Sequence, residues 1–182
     1  MRCSFDDALS AFPGLALSNA PPLLPAAEVA ALLAELGTTH VVWLPDSDVG
    51  QWESALQSSP AFRLLRVCRE SEAWTIAAGL LIGGARPMIV MQTTGMFDSG
   101  DSLRNCLFDM RLPLYAIVGH RSYLVENSTD TAKHFAEPIL KAWGLDYILL
   151  ARTDETPQLR EHILKCHAAG KPGVALLAEG RM

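Results

Sequence analysis

The stretch that decides the fold covers residues 69–119 and reads RESEAWTIAAGLLIGGARPMIVMQTTGMFDSGDSLRNCLFDMRLPLYAIVG. Residues 73–81 are mostly alanine and leucine and predict a helix, which a glycine pair ends. Residues 87–91 and 114–118 are continuous apolar runs that predict buried strands, and a polar turn at 92–95 and a second helix separate them. The stretch therefore predicts alternating helices and strands, with strands that are covered on both faces.

Two carboxylates stand at the start of the first helix. Glu70 and Glu72 fall in its first turn, where negative charge is stabilised by the positive end of the helix macrodipole. Capping alone therefore explains both residues, and a functional role for either needs another observation.

The rest of the chain continues the same alternation. Apolar residues at helical spacing predict helices over 26–36, 48–58, 132–143 and 156–169. Runs of leucine and β-branched residues predict further strands over 39–44, 63–68, 147–150 and 173–177. This pattern predicts an α/β fold, a three-layer doubly wound sheet of about six parallel strands with helices on both faces.

Polar side chains arrive at one edge of the predicted sheet. Right-handed crossovers place all strand-to-helix turns at the carboxyl edge, where ligands of open α/β sheets bind. The residues that reach this edge are Asp46, Ser47, Glu70, Gln92, Thr93, Thr94 and His120. The topology predicts a site there by itself, although Asp46-Ser47 also fits an ordinary turn and Thr93-Thr94 also fits a helix cap.

Length and composition bound the class of protein. The 182 residues suffice for one domain, predicted over 26–182, with 1–25 as an N-terminal extension. The hydrophobic content of 49% indicates either a sheet that is covered on both faces or apolar surface that is buried against another chain. A net charge of −5 without a basic cluster argues against nucleic acid and anionic membranes as partners. No run resembles a signal peptide or a membrane helix, so we expect a cytoplasmic protein.

Several common chemistries lack their motifs. No GxGxxG follows a strand, and neither a GxxxxGK[ST] phosphate loop nor a GxSxG nucleophile elbow occurs. His162, Cys166 and His167 are close together on the last helix, but the face of an amphipathic helix accounts for them. No metal site is predicted.

Five motifs, in the order in which they occur, carry a resemblance to a known family. Glu70 is followed nine residues later by Gly79 through a run of alanines, and then by Met91-Gln92, Gly95 and Leu112-Pro113. This pattern resembles the pyrimidine-binding domain of thiamine-diphosphate enzymes. It is similar in particular to the α subunit of sulfopyruvate decarboxylase and to phosphonopyruvate decarboxylases. The likeness covers roughly residues 35–178.

The resemblance implies a catalytic role for Glu70. In these enzymes a glutamate hydrogen-bonds a pyrimidine-ring nitrogen of thiamine diphosphate and so helps to remove the thiazolium proton. Glu70 is the matching residue, and the implied reaction is the decarboxylation of a 2-oxo acid.

Further site residues follow from the same resemblance. Gln92, Thr93, Thr94 and Gly95 are expected to bind the cofactor, although the sulfopyruvate enzymes commonly carry Asn-Ser-Gly after Met-Gln. The substrate-binding candidates are Asp46, Ser47, His120 and Arg121. His134 is a second catalytic candidate, because a histidine in this connection reaches the active site of the resembling enzymes. A surface position at a helix start is the alternative for His134, and solvation is the alternative for Arg121.

One motif of the family is missing from this chain. In these enzymes a second domain with a Gly-Asp-Gly motif holds the diphosphate and its Mg²⁺, and that tripeptide does not occur here. The resemblance therefore implies the α subunit of a two-subunit thiamine-diphosphate-dependent decarboxylase. The partner subunit would carry the motif and the Mg²⁺, within a homodimer or hetero-oligomer. The alternative is a non-catalytic small-molecule-binding or regulatory module of the same fold.

Overall fold

A computed structural model describes residues 22–44, 46 and 48–180 of the chain. Its centre is one sheet of six strands in the order β2-β1-β3-β4-β6-β5, and every neighbouring pair is parallel. The strands are β1 (His40–Trp43), β2 (Arg63–Arg66), β3 (Pro87–Gln92), β4 (Tyr115–His120), β5 (Asp146–Leu150) and β6 (Gly173–Ala178). The predicted parallel sheet is confirmed.

The described residues form seven α-helices, of which the first precedes β1 and the others lie between strands. They are α1 (Ala26–Glu35), α2 (Glu53–Ser58), α3 (Glu70–Ile82), α4 (Thr93–Asp98), α5 (Gly100–Arg104), α6 (Ala132–Ala142) and α7 (Thr156–Ala169). Two apolar clusters show that they cover both sides of the sheet. Helices α1, α2 and α7 pack on one side, called face A here. Helices α3 to α6 pack on the other side, called face B.

The helix layers on both faces of the sheet explain why the central strands are continuous apolar runs. Every residue of β4 and β6 is buried, as are the inner residues of β3, because side chains on both faces meet a helix. The edge strands β2 and β5 are more exposed. Continuous runs therefore mark the central strands.

The segment between β3 and β4 differs from its prediction. The expected polar turn at 92–95 is helical from Thr93 onward, and α4, α5 and one turn of π-helix at Asn105–Asp109 replace a single helix. Ser99 lies at the break, where its Oγ donates to the carbonyl of Met96 and accepts from the Trp74 indole at 2.9 Å. Because this side chain bonds to the backbone of its own turn, it competes with regular helical pairing.

The beginning of the predicted N-terminal extension lies outside the described residues, but residues 22–25 are described. Leu24 is fully buried, and its carbonyl accepts a hydrogen bond of 3.0 Å from the Trp52 indole. This part of the chain thus packs on face A. Across the described ranges, none of the helices combines the length and the hydropathy needed to cross a bilayer.

Candidate functional site

The carboxyl edge of the sheet carries polar residues on both faces. Strand pairing places Gln92 beside Gly119, at the ends of β3 and β4. Successive side chains of a strand alternate between faces, so Gln92, Gly119 and Glu179 belong to face A and His120 to face B. Glu70 begins α3, which covers face B. Most of the residues predicted at this edge therefore lie there, on two sides of the sheet.

On face B, the structure brings Glu70 and Gly95 together. Glu70 is half-buried in the first turn of α3, and its carboxyl group lies over Gly95 of α4. A Cβ atom at position 95 would overlap Cγ, Cδ and Oε1 of Glu70. The glycine thus leaves room for the carboxylate, which explains why the two residues occur together.

On face A, a second carboxyl group lies over a second glycine. Glu179 follows β6 and is only 2% exposed. A Cβ atom at position 119 would overlap Glu179 Oε1 and would lie 2.8 Å from Asp46 Oδ2. The structure therefore places the carboxyl groups of Asp46 and Glu179 together above Gly119.

Gln92 and the two threonines that follow it form further hydrogen bonds at this edge of the sheet. The Gln92 side chain donates to Glu179 Oε2 at 3.3 Å and accepts from the Thr94 hydroxyl at 3.0 Å. Thr93 is fully buried, and its Oγ1 accepts a long hydrogen bond of 3.4 Å from the backbone N–H of Arg121. Of the expected cofactor contacts, Thr94 alone has an exposed side chain.

His120 is fully buried at the end of β4. Neither ring nitrogen has a hydrogen-bond partner among the residues that the structure describes, and the ring centroid lies 4.8 Å from that of Tyr123. Burial lowers the pKa of the imidazole, and the Glu137 carboxylate opposes this more weakly. His120 is therefore neutral at neutral pH, and its two ring nitrogens are buried.

The remaining candidates are less closely involved. Arg121 forms an ion pair with Asp130, with 2.6 Å between Nε and Oδ2, so its charge is already compensated. His134 is exposed in the first turn of α6, and the contacts given by the structure do not join it to the other candidates. Ser47 lies outside the described residues. These roles stay predictions.

Glu179 was not predicted, although its position obeys the rule that identified the others. It is an acidic residue directly after a continuous apolar strand, and such a residue reaches the carboxyl edge. The residues predicted at this edge follow the first four strands of the chain, and Glu179 follows the last. Contact with Asp46 could not be inferred, because β1 and β6 are separated by two strands.

A third polar cluster lies away from this edge. Asp146, His162 and Cys166 have ligand atoms within 4.8 Å of one another. His162 Nδ1 is 2.5 Å from the Tyr115 hydroxyl, its Nε2 is 3.3 Å from Asp146 Oδ1, and Asp146 is also paired with Lys165 at 2.6 Å. Hydrogen bonds and an ion pair thus account for the arrangement.

A cavity of about 640 Å³ opens at the opposite edge of the sheet. Its walls include Met88 and Leu114, near the starts of β3 and β4, and its charged groups include Arg86 and the ion pair of Arg160 with Glu35. It is therefore separate from the candidate site.

Comparison with known proteins agrees with the predicted resemblance. A phosphonopyruvate decarboxylase of Streptomyces viridochromogenes is 32% identical over 152 residues, which are 81% of this chain and 37% of that protein. A sulfopyruvate decarboxylase of Methanosarcina acetivorans is 26% identical over 123 residues, 66% of this chain and 32% of that protein. The chain thus spans about a third of the length of these relatives. No protein-family model matches it.

Solved structures confirm the fold. Benzoylformate decarboxylase from Polynucleobacter necessarius superimposes with a TM-score of 0.65 at 18% identity, over 84% of this chain and 29% of that one. A thiamin diphosphate-dependent enzyme from Mycobacterium smegmatis gives a TM-score of 0.63 at 18% identity, over 84% and 30% of the chains. The chain therefore resembles one domain of thiamine-diphosphate-dependent decarboxylases, which confirms the resemblance predicted from the motifs.

Proposed function

We propose that this chain is the pyrimidine-binding α subunit of a cytoplasmic, two-subunit, thiamine-diphosphate-dependent 2-oxo acid decarboxylase of the sulfopyruvate or phosphonopyruvate type. The observation that carries the proposal is Glu70, a half-buried carboxylate in the first turn of α3 that lies over Gly95 at the carboxyl edge. The sequence similarity to sulfopyruvate and phosphonopyruvate decarboxylases supports it.

The residues at this edge fit the pyrimidine half of the cofactor. The Glu70 carboxylate lies over Gly95 on face B, and Gln92 and Thr94, which are hydrogen-bonded to each other, lie at the end of β3 and the start of α4. These residues, with Thr93, would hold the cofactor. When bound, thiamine diphosphate supplies a thiazolium ring that takes up the electrons released as carbon dioxide leaves.

The chain's own residues would then act on protons and charge. Glu70 would hold a proton at a nitrogen of the aminopyrimidine ring, as general acid–base catalysis requires. His120, buried and neutral on face B, would offer a ring nitrogen to the substrate, while Asp46 on face A and Arg121 would border the same edge of the sheet. Because Arg121 is paired with Asp130, an anionic substrate would share this arginine with an acidic neighbour.

The second half of the site would come from a partner subunit. The sequence contains no Gly-Asp-Gly motif, the tripeptide that holds the diphosphate and Mg²⁺ in the resembling enzymes. We therefore assign the diphosphate and the Mg²⁺ to a partner that carries the motif.

Co-purification with such a partner tests the proposal. A protein encoded beside this chain and carrying Gly-Asp-Gly should copurify with it. The complex should release carbon dioxide from sulfopyruvate or phosphonopyruvate only when thiamine diphosphate and Mg²⁺ are present. The chain alone should show no activity and only very weak cofactor binding by calorimetry. Tight, Mg²⁺-dependent binding by the chain alone would contradict the divided site, and an inactive complex would favour the binding-module alternative.

A further inference from the structure

Glu179 is a buried titratable residue to which the proposed function gives no role. It directly follows β6 and is only 2% exposed. Its carboxyl group occupies the space that Gly119 leaves open, beside Asp46. Two carboxyl groups from distant strands therefore meet in the interior, where an unpaired negative charge is unfavourable.

The hydrogen bonds of the two groups are unequal. Asp46 Oδ1 accepts from the backbone N–H groups of Asp48 and Val49, both at 2.8 Å. Among the described residues, Glu179 Oε2 accepts one hydrogen bond, the longer one of 3.3 Å from Gln92. Donors stabilise an ionised carboxylate, so the negative charge is better placed on Asp46 than on Glu179.

One oxygen of each group remains without a donor. Asp46 Oδ2 and Glu179 Oε1 are both buried, and within the described part of the chain no donor reaches either atom. Both lie over the same point of Gly119. Two such oxygens satisfy each other if one of them carries a proton, as in other carboxyl pairs that share a site.

We propose that Glu179 is a positioning residue of the candidate site: it holds a proton at neutral pH, donates it in a hydrogen bond to Asp46, and so fixes the orientation and the charge of the Asp46 carboxylate. The pair then carries one negative charge instead of two.

The surrounding charges support this protonation state. Burial first, and then the negative charges of Asp46 and Asp48, raise the pKa of Glu179 to about 9, and the hydrogen bond from Gln92 opposes this more weakly. The pKa of Asp46 is also raised by burial, but the backbone donors from Val49 and Asp48 oppose this. The proton therefore belongs on Glu179.

The charge of the pair matters for substrate binding, a step that rests on the proposed function. Every 2-oxo acid is an anion at neutral pH, and sulfopyruvate and phosphonopyruvate carry a second acidic group. A second negative charge at the carboxyl edge would repel such a substrate. Loss of the Glu179 proton should therefore weaken substrate capture at alkaline pH.

Infrared titration of the chain alone tests the shared proton without any activity. The wild type should show the carbonyl band of a protonated carboxyl group at neutral pH, and this band should disappear at alkaline pH. Glu179→Gln should lack it, and Glu72→Gln, the matched control at an exposed carboxylate, should keep it. In Asp46→Asn the band should titrate at lower pH, because the neighbouring negative charge is gone. A wild type without the band, or a band that survives in Glu179→Gln, overturns the proposal.

The pH dependence of the reconstituted enzyme tests the role in the site. In the wild type and in Glu72→Gln, kcat/KM should fall as the pH rises through the pKa of the pair, by at most about tenfold per pH unit. Glu179→Gln keeps the shape and a donor but cannot titrate, so its kcat/KM should lose this fall while kcat changes less. If kcat/KM of Glu179→Gln falls at alkaline pH as it does in the wild type, the positioning role is overturned even if the infrared result holds. If no variant of the complex is active, the proposed function has failed and the infrared result still decides the shared proton.

Discussion

Two carboxyl groups of this protein lie over glycines, and their surroundings differ. Glu70 lies over Gly95 at the start of a helix on face B and is half-buried. Glu179 lies over Gly119 after a central strand on face A and is only 2% exposed. In both cases the glycine provides the space. The first carboxylate remains accessible to a ligand, and the second is enclosed with another carboxyl group.

The same arrangement, a carboxyl group packed over a glycine, therefore serves different purposes at the two positions. A carboxylate at a helix start is stabilised by the macrodipole and can meet a cofactor without being buried first. A carboxyl group enclosed beside Asp46, with one long hydrogen bond from Gln92, is stabilised chiefly by sharing a proton. Substitutions at the two positions should therefore affect different properties: the rate of the reaction at Glu70, and stability and its pH dependence at Glu179.

The largest effect is expected at Glu70. Glu70→Gln keeps the shape of the side chain but cannot exchange a proton with the pyrimidine ring. The reconstituted enzyme should lose rate by a factor of about a hundred or more, the scale of general acid–base catalysis. The chain should still fold, because the carboxylate contributes only about 1 kcal/mol through the dipole. Steady-state kinetics and thermal unfolding measure the two effects.

Glu72→Gln is the control for this prediction. Glu72 lies two residues further along α3, about 200° around the helix axis. It is exposed and accepts a hydrogen bond of 3.1 Å from the backbone N–H of Cys68. Exchange of the thiazolium proton, followed by NMR in each reconstituted variant, compares the two directly. An equal loss in both variants, or unchanged exchange in Glu70→Gln, would remove Glu70 from the mechanism.

The second prediction compares alanine substitutions at the two glycines. Gly119→Ala places a Cβ atom against an enclosed carboxyl group that cannot move into solvent, so the free energy of unfolding should fall by about 1–3 kcal/mol, as in other overpacked sites. Gly95→Ala meets the flexible Glu70 side chain, which can swing outward. It should leave stability nearly unchanged and lower the rate of the reconstituted enzyme.

Denaturant unfolding of both variants measures this difference. In Gly119→Ala the midpoint should move to lower denaturant concentration without a change in slope. If Gly95→Ala is the more destabilised of the two, the carboxyl group over Gly119 is the more mobile one, and the comparison of the two sites is reversed.

The fold could be predicted because its signal is periodic and long. Continuous apolar runs such as those of β3 and β4, separated by helical spacing, leave few alternatives to a parallel sheet. The break at Ser99 could not be predicted, since it depends on a hydrogen bond to Trp74, 25 residues away.

The site could be predicted only where a local pattern marks it. Glu70 stands at a helix start and belongs to a family motif, so its position could be predicted from the sequence, and its catalytic role stays a prediction. Glu179 acquires its properties from Asp46 and Gly119, which are far from it in the chain and meet it only after the sheet has formed. Burial and proton sharing are tertiary properties and have no local sequence signal.

The last prediction concerns stability and pH at the enclosed pair. The pKa of Glu179 is raised from an ordinary value of 4.5 to about 9, chiefly by burial. The folded protein therefore holds a proton that the unfolded chain releases, and the stabilisation is complete below the unfolded pKa and lost as pH rises through the folded one. Between these two values, this group makes stability fall with rising pH, by up to about 1.4 kcal/mol per pH unit. Glu179→Gln should remove that slope, so its free energy of unfolding should fall less between neutral and alkaline pH than that of the wild type.

Glu137→Gln is the matched control, because hydrogen bonding from Tyr147 lowers the pKa of Glu137 and leaves it ionised across this range. Urea unfolding at several pH values measures each slope, and parallel slopes in wild type and Glu179→Gln would show that the pair carries no shared proton.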